Sequence, residues 1–373
     1  MARHDPQRFY WPSSPLAAWD GKETVSHASF SPQQSGDIHY WSVWWGQKPF
    51  AEYRTHIGRF MSEYGFQSFP EFRTIEAYTQ PGDRDIFSEV MKAHQRSSIG
   101  NGTIKTYMER DYRVPADFRQ FLYVGQVLQA EGIKTAMEAH RSRMPYCMGS
   151  LFWQINDCWP VASWSSIDYF GRWKAQQYFA RKAFDTVLVS PQLDDQTVHI
   201  HAVSDLLADQ EVTLALRLMD FAGKIVASED TPLVLKANAA SLVMTREVAD
   251  LLRGASPQSV VLSVRLMAGG QVLAGNLLYF APVKDLTLPK PAITRTIKAS
   301  GSEILIGLTA GRLVKNLYLS LSDGDGDGRF SDNYFDMLPG EAVTLRFKPA
   351  KAMDAKTFET RLALMHMADI PAG

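Results

Sequence analysis

Arg59-Phe60-Met61-Ser62-Glu63-Tyr64-Gly65-Phe66-Gln67-Ser68 places one carboxylate directly after a short apolar run, in a polar segment rich in aromatics and glycine. Glu is rarely buried without a partner, because a carboxylate loses strong hydration on leaving water. A carboxylate at the end of a predicted strand, among rings, is therefore a catalytic candidate. The plainer alternative is a structural Glu that accepts backbone or Arg hydrogen bonds at a strand end. Before this segment lies an apolar-aromatic run over 38–45, opened by Ile38, His39 and Tyr40; after it, residues 147–153 read as a short buried strand. Pro49 opens a predicted helix on which Phe50, Tyr53 and Ile57 share a face. Asp83 is placed to cap another, residues 97–115 read as loop, and long helical spacing covers 117–140 and then 173–184. With a first strand at Phe9, Tyr10 and Trp11, the unit strand–loop–helix recurs about four times, which predicts parallel strands with functional loops at their C-terminal ends.

Beyond Phe184 the period changes to two. Segments 187–189, 198–203, 212–218 and 260–266 alternate as strands separated by short polar turns, which predicts an antiparallel sandwich. Pro289 and Pro291 mark a linker, and a second all-β unit follows over 293–297, 303–306, 317–320 and 343–347.

Composition sets bounds on function. The chain has 373 residues, enough for two or three cores. It is 45% hydrophobic and 21% charged, with mean hydropathy −0.19 and net charge −1, so nothing points to nucleic acid or an anionic membrane as partner. No apolar run approaches the ~18 residues of a membrane span, and no apolar core follows the N-terminus as in a signal peptide. The expectation is a soluble protein, cytoplasmic or periplasmic. Cys147 and Cys158 are too few for a disulfide framework and are expected reduced and buried. All nine Trp lie at or before Trp173, which suggests a ligand-handling first part followed by units of another kind.

His39, Glu63, Trp153, Asn156, Asp157 and Trp159 each fall at or just beyond a predicted strand end. Indole rings, amides and carboxylates together suit a carbohydrate, whose apolar faces stack and whose hydroxyls take paired hydrogen bonds. Hydrolysis of a glycosidic bond needs two carboxyl groups. Glu63 is one candidate; Asp37, Glu71 and Asp157 are the available seconds, none in a compelling context. The run Asp323-Gly324-Asp325-Gly326-Asp327-Gly328 has the acid spacing of a calcium loop, but its twelfth place is Tyr334 where an EF-hand needs Glu, so Asp323, Asp325 and Asp327 read first as a solvated turn.

The segment 61–70 resembles the nucleophile segment of the β-mannosidases of glycoside hydrolase family 2. Residues 10–15 (Tyr-Trp-Pro-Ser-Ser-Pro), 36–44 and 149–160 are similar to the same enzymes, and 163–169 and 330–336 continue the match. The resemblance covers almost the whole chain. It implies a multidomain α/β plus all-β protein: the C-terminal half of a (β/α)8 TIM barrel over 1–185, with strands five to eight, then immunoglobulin-like β-sandwiches over 186–285 and 290–373. It further implies a retaining enzyme, without metal or organic cofactor, acting on terminal β-mannose of an oligosaccharide or glycoconjugate. Glu63 would be the nucleophile and Trp153 part of the sugar-binding floor. His39, Asn156 and Asp157 would orient hydroxyls, while Tyr64, Trp41 and Trp159 position the sugar.

One departure is large. In that family the general acid/base Glu follows an Asn at the end of the fourth strand, and this sequence contains no Asn–Glu pair. The expectation is therefore that the chain alone is inactive and needs the N-terminal half of the barrel. The alternatives are a related β-galactosidase or β-glucuronidase, or a non-catalytic carbohydrate-binding or assembly fragment.

Overall fold

The computed structural model describes residues 3–8, 13–15, 36–322 and 327–371. The strand expected at Phe9–Trp11 and the residues Asp323 and Asp325 lie outside them. In the first part, β1 (Ile38–His39) pairs in parallel with β2 (Met61–Glu63), matching His39 to Glu63. The predicted strand at 147–153 is an extended segment rather than a regular strand. Met61 N–H donates to Gly149 O and Leu151 N–H to Met61 O, and further on Trp153 N–H reaches Tyr64 O, so the segment runs parallel to β2 on its other side.

Helices surround this small parallel layer: α1 (Phe72–Glu76), α2 (Glu89–Ala93), α3 (Gly100–Asp111), α4 (Phe118–Arg141) and α5 (Ala175–Ala183). The dominant one is α4. Asp117 caps it by accepting from Gln120 N–H at 2.9 Å, and Phe121, Leu122, Val124, Leu128 and Ile133 bury its apolar side. Three local expectations are corrected. Pro49 opens only a single 3-10 turn, Phe50–Arg54. Ser88, not Asp83, caps α2, accepting from Met91 N–H at 3.2 Å. The 97–115 loop contains the twelve-residue α3, because Ile104, Tyr107 and Met108 recur at helical spacing and bury against the core despite Gly100 and Gly102.

Two antiparallel sandwiches follow. The first has β3 (Val187–Asp194), β4 (Thr197–Ser204), β5 (Gln210–Asp220), β6 (Ile225–Leu235), β7 (Ala239–Glu247), the short α6 (Val248–Leu252), β8 (Val260–Ala268) and β9 (Gln271–Tyr279). Its sheets run β3-β4-β7 and β6-β5-β8-β9. Val212, Leu214, Leu216 and Leu218 of β5 point alternately inward to meet Val189 and Ile200 of the facing sheet. The second has β10 (Ile293–Ser300), β11 (Glu303–Ala310), β12 (Val314–Leu321), β13 (Gly328–Phe330), β14 (Phe335–Met337), β15 (Ala342–Pro349), α7 (Ala355–Arg361) and β16 (Leu362–Met365), in sheets β10-β11-β15-β13 and β14-β12-β16. Its core joins Ile304, Ile306 and Leu308 to Leu317, Leu319 and Phe347.

The last unit is docked onto the first rather than tethered to it. Tyr334, in a left-handed conformation with φ 56°, is 2% exposed and lies in the core of the first part. Its hydroxyl donates to Gln126 Oε1 of α4 at 2.9 Å, and its ring stacks on Tyr318 with centroids 4.6 Å apart. Among the described residues, no helix is long and apolar enough to cross a membrane.

Candidate active site

The parallel pairing of β1 and β2 sets the site. Because His39 and Glu63 are register partners on adjacent strands, their side chains emerge side by side, and His39 Nδ1 lies 2.6 Å from Glu63 Oε2. The imidazole is 9% exposed and the carboxylate 21%, so Glu63 keeps a face open to solvent. His39 is braced from behind: its Nε2 is 3.0 Å from Ser14 Oγ, which donates to Asp37 Oδ2 at 2.5 Å, and Ser62 Oγ donates to the same carboxylate oxygen at 2.7 Å. The short contact to Oε2 leaves Oε1 as the freer oxygen of Glu63.

Beside Glu63 the backbone is packed too closely for side chains. A Cβ at Gly65 would stand 2.4 Å from Trp153 O and 3.1 Å from both Trp41 and Trp164. Glycine there lets the chain after Glu63 pass against the Trp153 carbonyl and two indoles, Trp41 and Trp164, which meet edge to face at 5.8 Å. Trp153 exposes 45% of its surface at this point, and Trp41 is partly buried. Asn156 is exposed beyond it. Trp159 is 37% exposed and leans on His94 at 5.0 Å, which in turn stacks on Tyr78 at 3.8 Å. His94 Nδ1 also sits 2.6 Å from Pro160 O, so the loop carrying Trp159 is anchored on both sides.

Two expected sugar contacts are placed elsewhere. Tyr64 is fully buried: alternation along β2 sends it to the side opposite Glu63, where its hydroxyl is 2.8 Å from Ser150 Oγ, itself 2.9 Å from His140 Nδ1. Burial pushes the Tyr64 phenol up and the His140 imidazole down to about 3, so both are neutral core groups. Asp157 is 6% exposed and accepts from Ser163 Oγ at 2.5 Å and Ser165 Oγ at 2.6 Å. Nearby Lys174, 2% exposed, donates to Ser68 O and Ser163 O, and burial pushes its ammonium down to about 8 against the pull of Asp157. Asp157 therefore knits its loop to the segment after Glu63 instead of facing a cleft.

The other two candidate second carboxyls are also engaged. Asp37 braces His39 as described. Glu71 lies in a charged cluster with Arg73 (2.8 Å), Arg172 (3.1 Å) and the Tyr318 hydroxyl (3.3 Å), and burial raises its carboxyl against the two guanidinium groups. Asp327 closes that cluster through a two-point contact with Arg172 (2.9 and 3.1 Å) and one with Arg73 (3.1 Å). Its carboxylate, once a calcium-loop candidate, is thus occupied by two arginines, and no group of three or more metal-ligating side chains occurs among the described residues. Cys147 is buried, but Cys158 is exposed, and both are free thiols.

Sequence reasoning missed Ser14, Ser62, Ser150, His140 and Lys174. Hydroxyls and single cations carry no periodicity, and only the pairing of distant segments brings them together.

Comparisons with known proteins follow the same outline. A "Mannosidase Ig/CBM-like domain" matches residues 196–285 and an "Ig-fold domain" of mannosidases matches 288–370. The β-mannosidase of Bos taurus is 32% identical, covering 98% of this chain and 43% of that protein. β-Mannosidase B of Aspergillus flavus is 30% identical, with 94% and 42% covered. The chain therefore spans about two fifths of the length of these curated relatives. The crystal structure of a β-D-mannosidase from Dictyoglomus thermophilum superposes with a TM-score of 0.85 at 28% identity, over 98% of this chain and 43% of that one. An exo-chitosanase of Amycolatopsis orientalis shares the fold at 15% identity, TM-score 0.64, over 83% and 42%. In sequence and in fold alike, the chain belongs with the C-terminal portions of the glycoside hydrolase family 2 β-mannosidases.

Proposed function

We propose that this chain carries the nucleophile portion of a retaining β-mannosidase and that residues 1–185 form the second half of a (β/α)8 barrel. The observation that carries the reading is Glu63: a partly exposed carboxylate at the end of a parallel strand, held by a histidine on one oxygen, with the exposed Trp153 on the neighbouring segment, its N–H bonded to Tyr64 O. Parallel strands that deliver functional groups from their C-terminal ends are the barrel arrangement. In the reaction, Glu63 Oε1 bonds to the anomeric carbon while the glycosidic C–O bond breaks and the departing oxygen takes a proton from a general acid. Water then attacks the glycosyl-enzyme, its proton passes to the same acid/base residue, and Glu63 leaves as a carboxylate. Trp153, Trp41 and Trp159 would bear the sugar ring, and Asn156 a hydroxyl. Among the described residues Asp37, Glu71 and Asp157 are all committed to other bonds, and the sequence has no Asn–Glu pair, so this reading takes the general acid from the N-terminal half of the barrel.

The test is hydrolysis of a nitrophenyl β-mannoside by the chain alone and mixed with the N-terminal half of a full-length relative. Turnover only in the mixture, lost in Glu63→Ala, is the expected result. Steady turnover by the pure chain, abolished by Glu63→Ala, would overturn the division of labour. The missing Asn–Glu pair favours one second reading, a carbohydrate-binding or assembly fragment, which mannoside binding without turnover in either arm would support.

A further inference from the structure

We propose that Trp45 is the platform for a second sugar of the substrate, the one on the leaving-group side of the bond that Glu63 attacks. The inference rests on the function proposed above and adds the class of leaving group. Because β1 and β2 are parallel, the turn that follows β1 emerges at the same end as Glu63, and at its start Tyr40 N–H donates to Glu63 O at 2.8 Å. One residue on, Trp41 reaches back over the chain after Glu63: its ring lies 3.1 Å from where a Cβ on Gly65 would stand. Trp45 N–H donates to Trp41 O at 2.9 Å, the i to i−4 bond of a helical turn. Residues so spaced leave a turn on one side, with Cβ atoms about 5–6 Å apart. Trp41, partly buried, and Trp45, 52% exposed, therefore form two steps leading outward from Glu63.

A lone exposed apolar side chain is ordinary on a protein surface. Trp45 differs in the way its turn is held. Val43 and Trp44 beside it are 0% exposed, and the Tyr107 hydroxyl of α3 lies 2.5 Å from both Val43 O and Lys48 O. Lys48 N–H donates to Ser42 O at 3.3 Å, and a Cβ at Gly46 would stand 2.6 Å from that same oxygen, so the turn is tightly closed. The ring of Trp44 packs edge to face on Phe66 at 5.1 Å and on Trp164 at 5.7 Å, and Trp45 stands edge to face on Trp44 at 6.5 Å. Phe66 is three residues past Glu63, so the turn and the Glu63 segment share one core. Ordering a loop is a usual cost of binding, and here the loop is ordered by its own buried contacts. An indole so mounted offers a flat apolar face to the apolar face of a pyranose and leaves only one side chain to be fixed. In the proposed reaction the terminal mannose lies at Glu63, so further sugars extend from the leaving-group side. Two indoles one turn apart suit two consecutive pyranose rings. A site built this way favours mannose linked to another sugar over mannose linked to a small aglycone.

The experiment compares two substrates in the mixture of this chain with the N-terminal half of a full-length relative: β-1,4-mannotriose, and β-mannosyl fluoride, whose leaving group carries no ring. Trp45→Ala should lower kcat/KM for mannotriose about tenfold more than for the fluoride, the loss of one stacked ring, and Trp45→Phe should restore most of it. Equal losses on the two substrates, or a Trp45→Ala chain that no longer complements, would overturn the inference and leave the assignment of Glu63 intact. A parent mixture that turns over neither substrate counts against the proposed function by itself, and the platform is then read from binding. With mannotriose added to the folded chain the Trp45 indole N–H resonance should shift, and with D-mannose it should not. A Trp45 resonance that stays still under mannotriose, or moves as far with D-mannose, would overturn the platform.

Discussion

Asp157→Asn is the most informative single change, because it separates a carboxylate that holds a loop from one that binds a sugar. The substitution keeps the volume and removes the charge. In the folded chain that charge accepts from Ser163 and Ser165 at 2.5 and 2.6 Å and opposes the desolvation of Lys174, whose ammonium is 2% exposed. Removing one partner of a buried charged set costs about 3–5 kcal/mol, because the remaining charge is left uncompensated. Here Ser68 O and Ser163 O still accept from Lys174, which places the cost at the low end, about 3 kcal/mol. All nine Trp lie in the first part, so intrinsic Trp fluorescence during urea unfolding reports that part without the sandwiches. With a slope of about 1–3 kcal/mol per molar urea, the midpoint should fall by about 1–3 M. A midpoint within about 0.2 M of the parent would refute the structural role, and loss of mannoside binding in such an unshifted variant would return Asp157 to the sugar.

Three further outcomes follow from the same geometry. Asp327→Ala should cost about 1–2 kcal/mol rather than a full buried pair, because Asp327 is half exposed and Arg172 keeps Glu71; hydrogen exchange should rise at 71–74 and 172, and unchanged protection would count against the clasp. Lys174 gives a pH signature: its ammonium sits near 8 folded and at 10.5 free, so between those values the unfolded chain binds more protons and this group's contribution to stability grows as pH rises. The Trp-detected urea midpoint should therefore climb from pH 7.5 to 9.5, and a flat or falling profile there would contradict a buried, charged Lys174. Gly65→Ala drives a methyl to 2.4 Å from a backbone oxygen that cannot swing away, so soluble folded protein should be lost or its midpoint fall by more than that of Asp157→Asn; a well-folded Gly65→Ala would show the Trp153 backbone to be freely displaced.

The sandwiches were legible because period-two alternation survives wherever one sheet face is buried; Val212, Leu214, Leu216 and Leu218 announce β5 without help from the rest of the chain. The first part was less so. Gly100 and Gly102 suggest a loop, yet Ile104, Tyr107 and Met108 gain enough burial to carry α3 through them. Glu63 and His39 could be singled out from strand ends alone. Their pairing could not, since it depends on the register of β1 and β2, and two- and three-residue strands carry no readable register. Tyr64 and Asp157 were misplaced for a related reason: residue type marked them as polar or sugar-facing, whereas alternation and the serines after Val161 turn both inward.

These placements bear on what the C-terminal units do for the site. Glu71 follows Glu63 by eight residues and Arg172 follows Trp153 by nineteen, so the two segments that frame the candidate cleft meet in one charged cluster. Asp327 and Tyr318 of the last unit close that cluster, and Tyr334 from the same unit sits in the core against α4. A cleft wall built from short strands has few ladder hydrogen bonds to fix it, so its rigidity must come from side chains at its back and flank. Lys174, Gln129 and the Tyr64–Ser150–His140 chain supply the back; Asp327 and Tyr318 supply the flank. The front, where Trp153, Leu151 and Ile155 are each 45–53% exposed, has no such support within the described residues. Apolar groups of that size left in water next to a carboxylate fit a surface completed by more protein, and the same surface is where a general acid would have to arrive to act opposite Glu63.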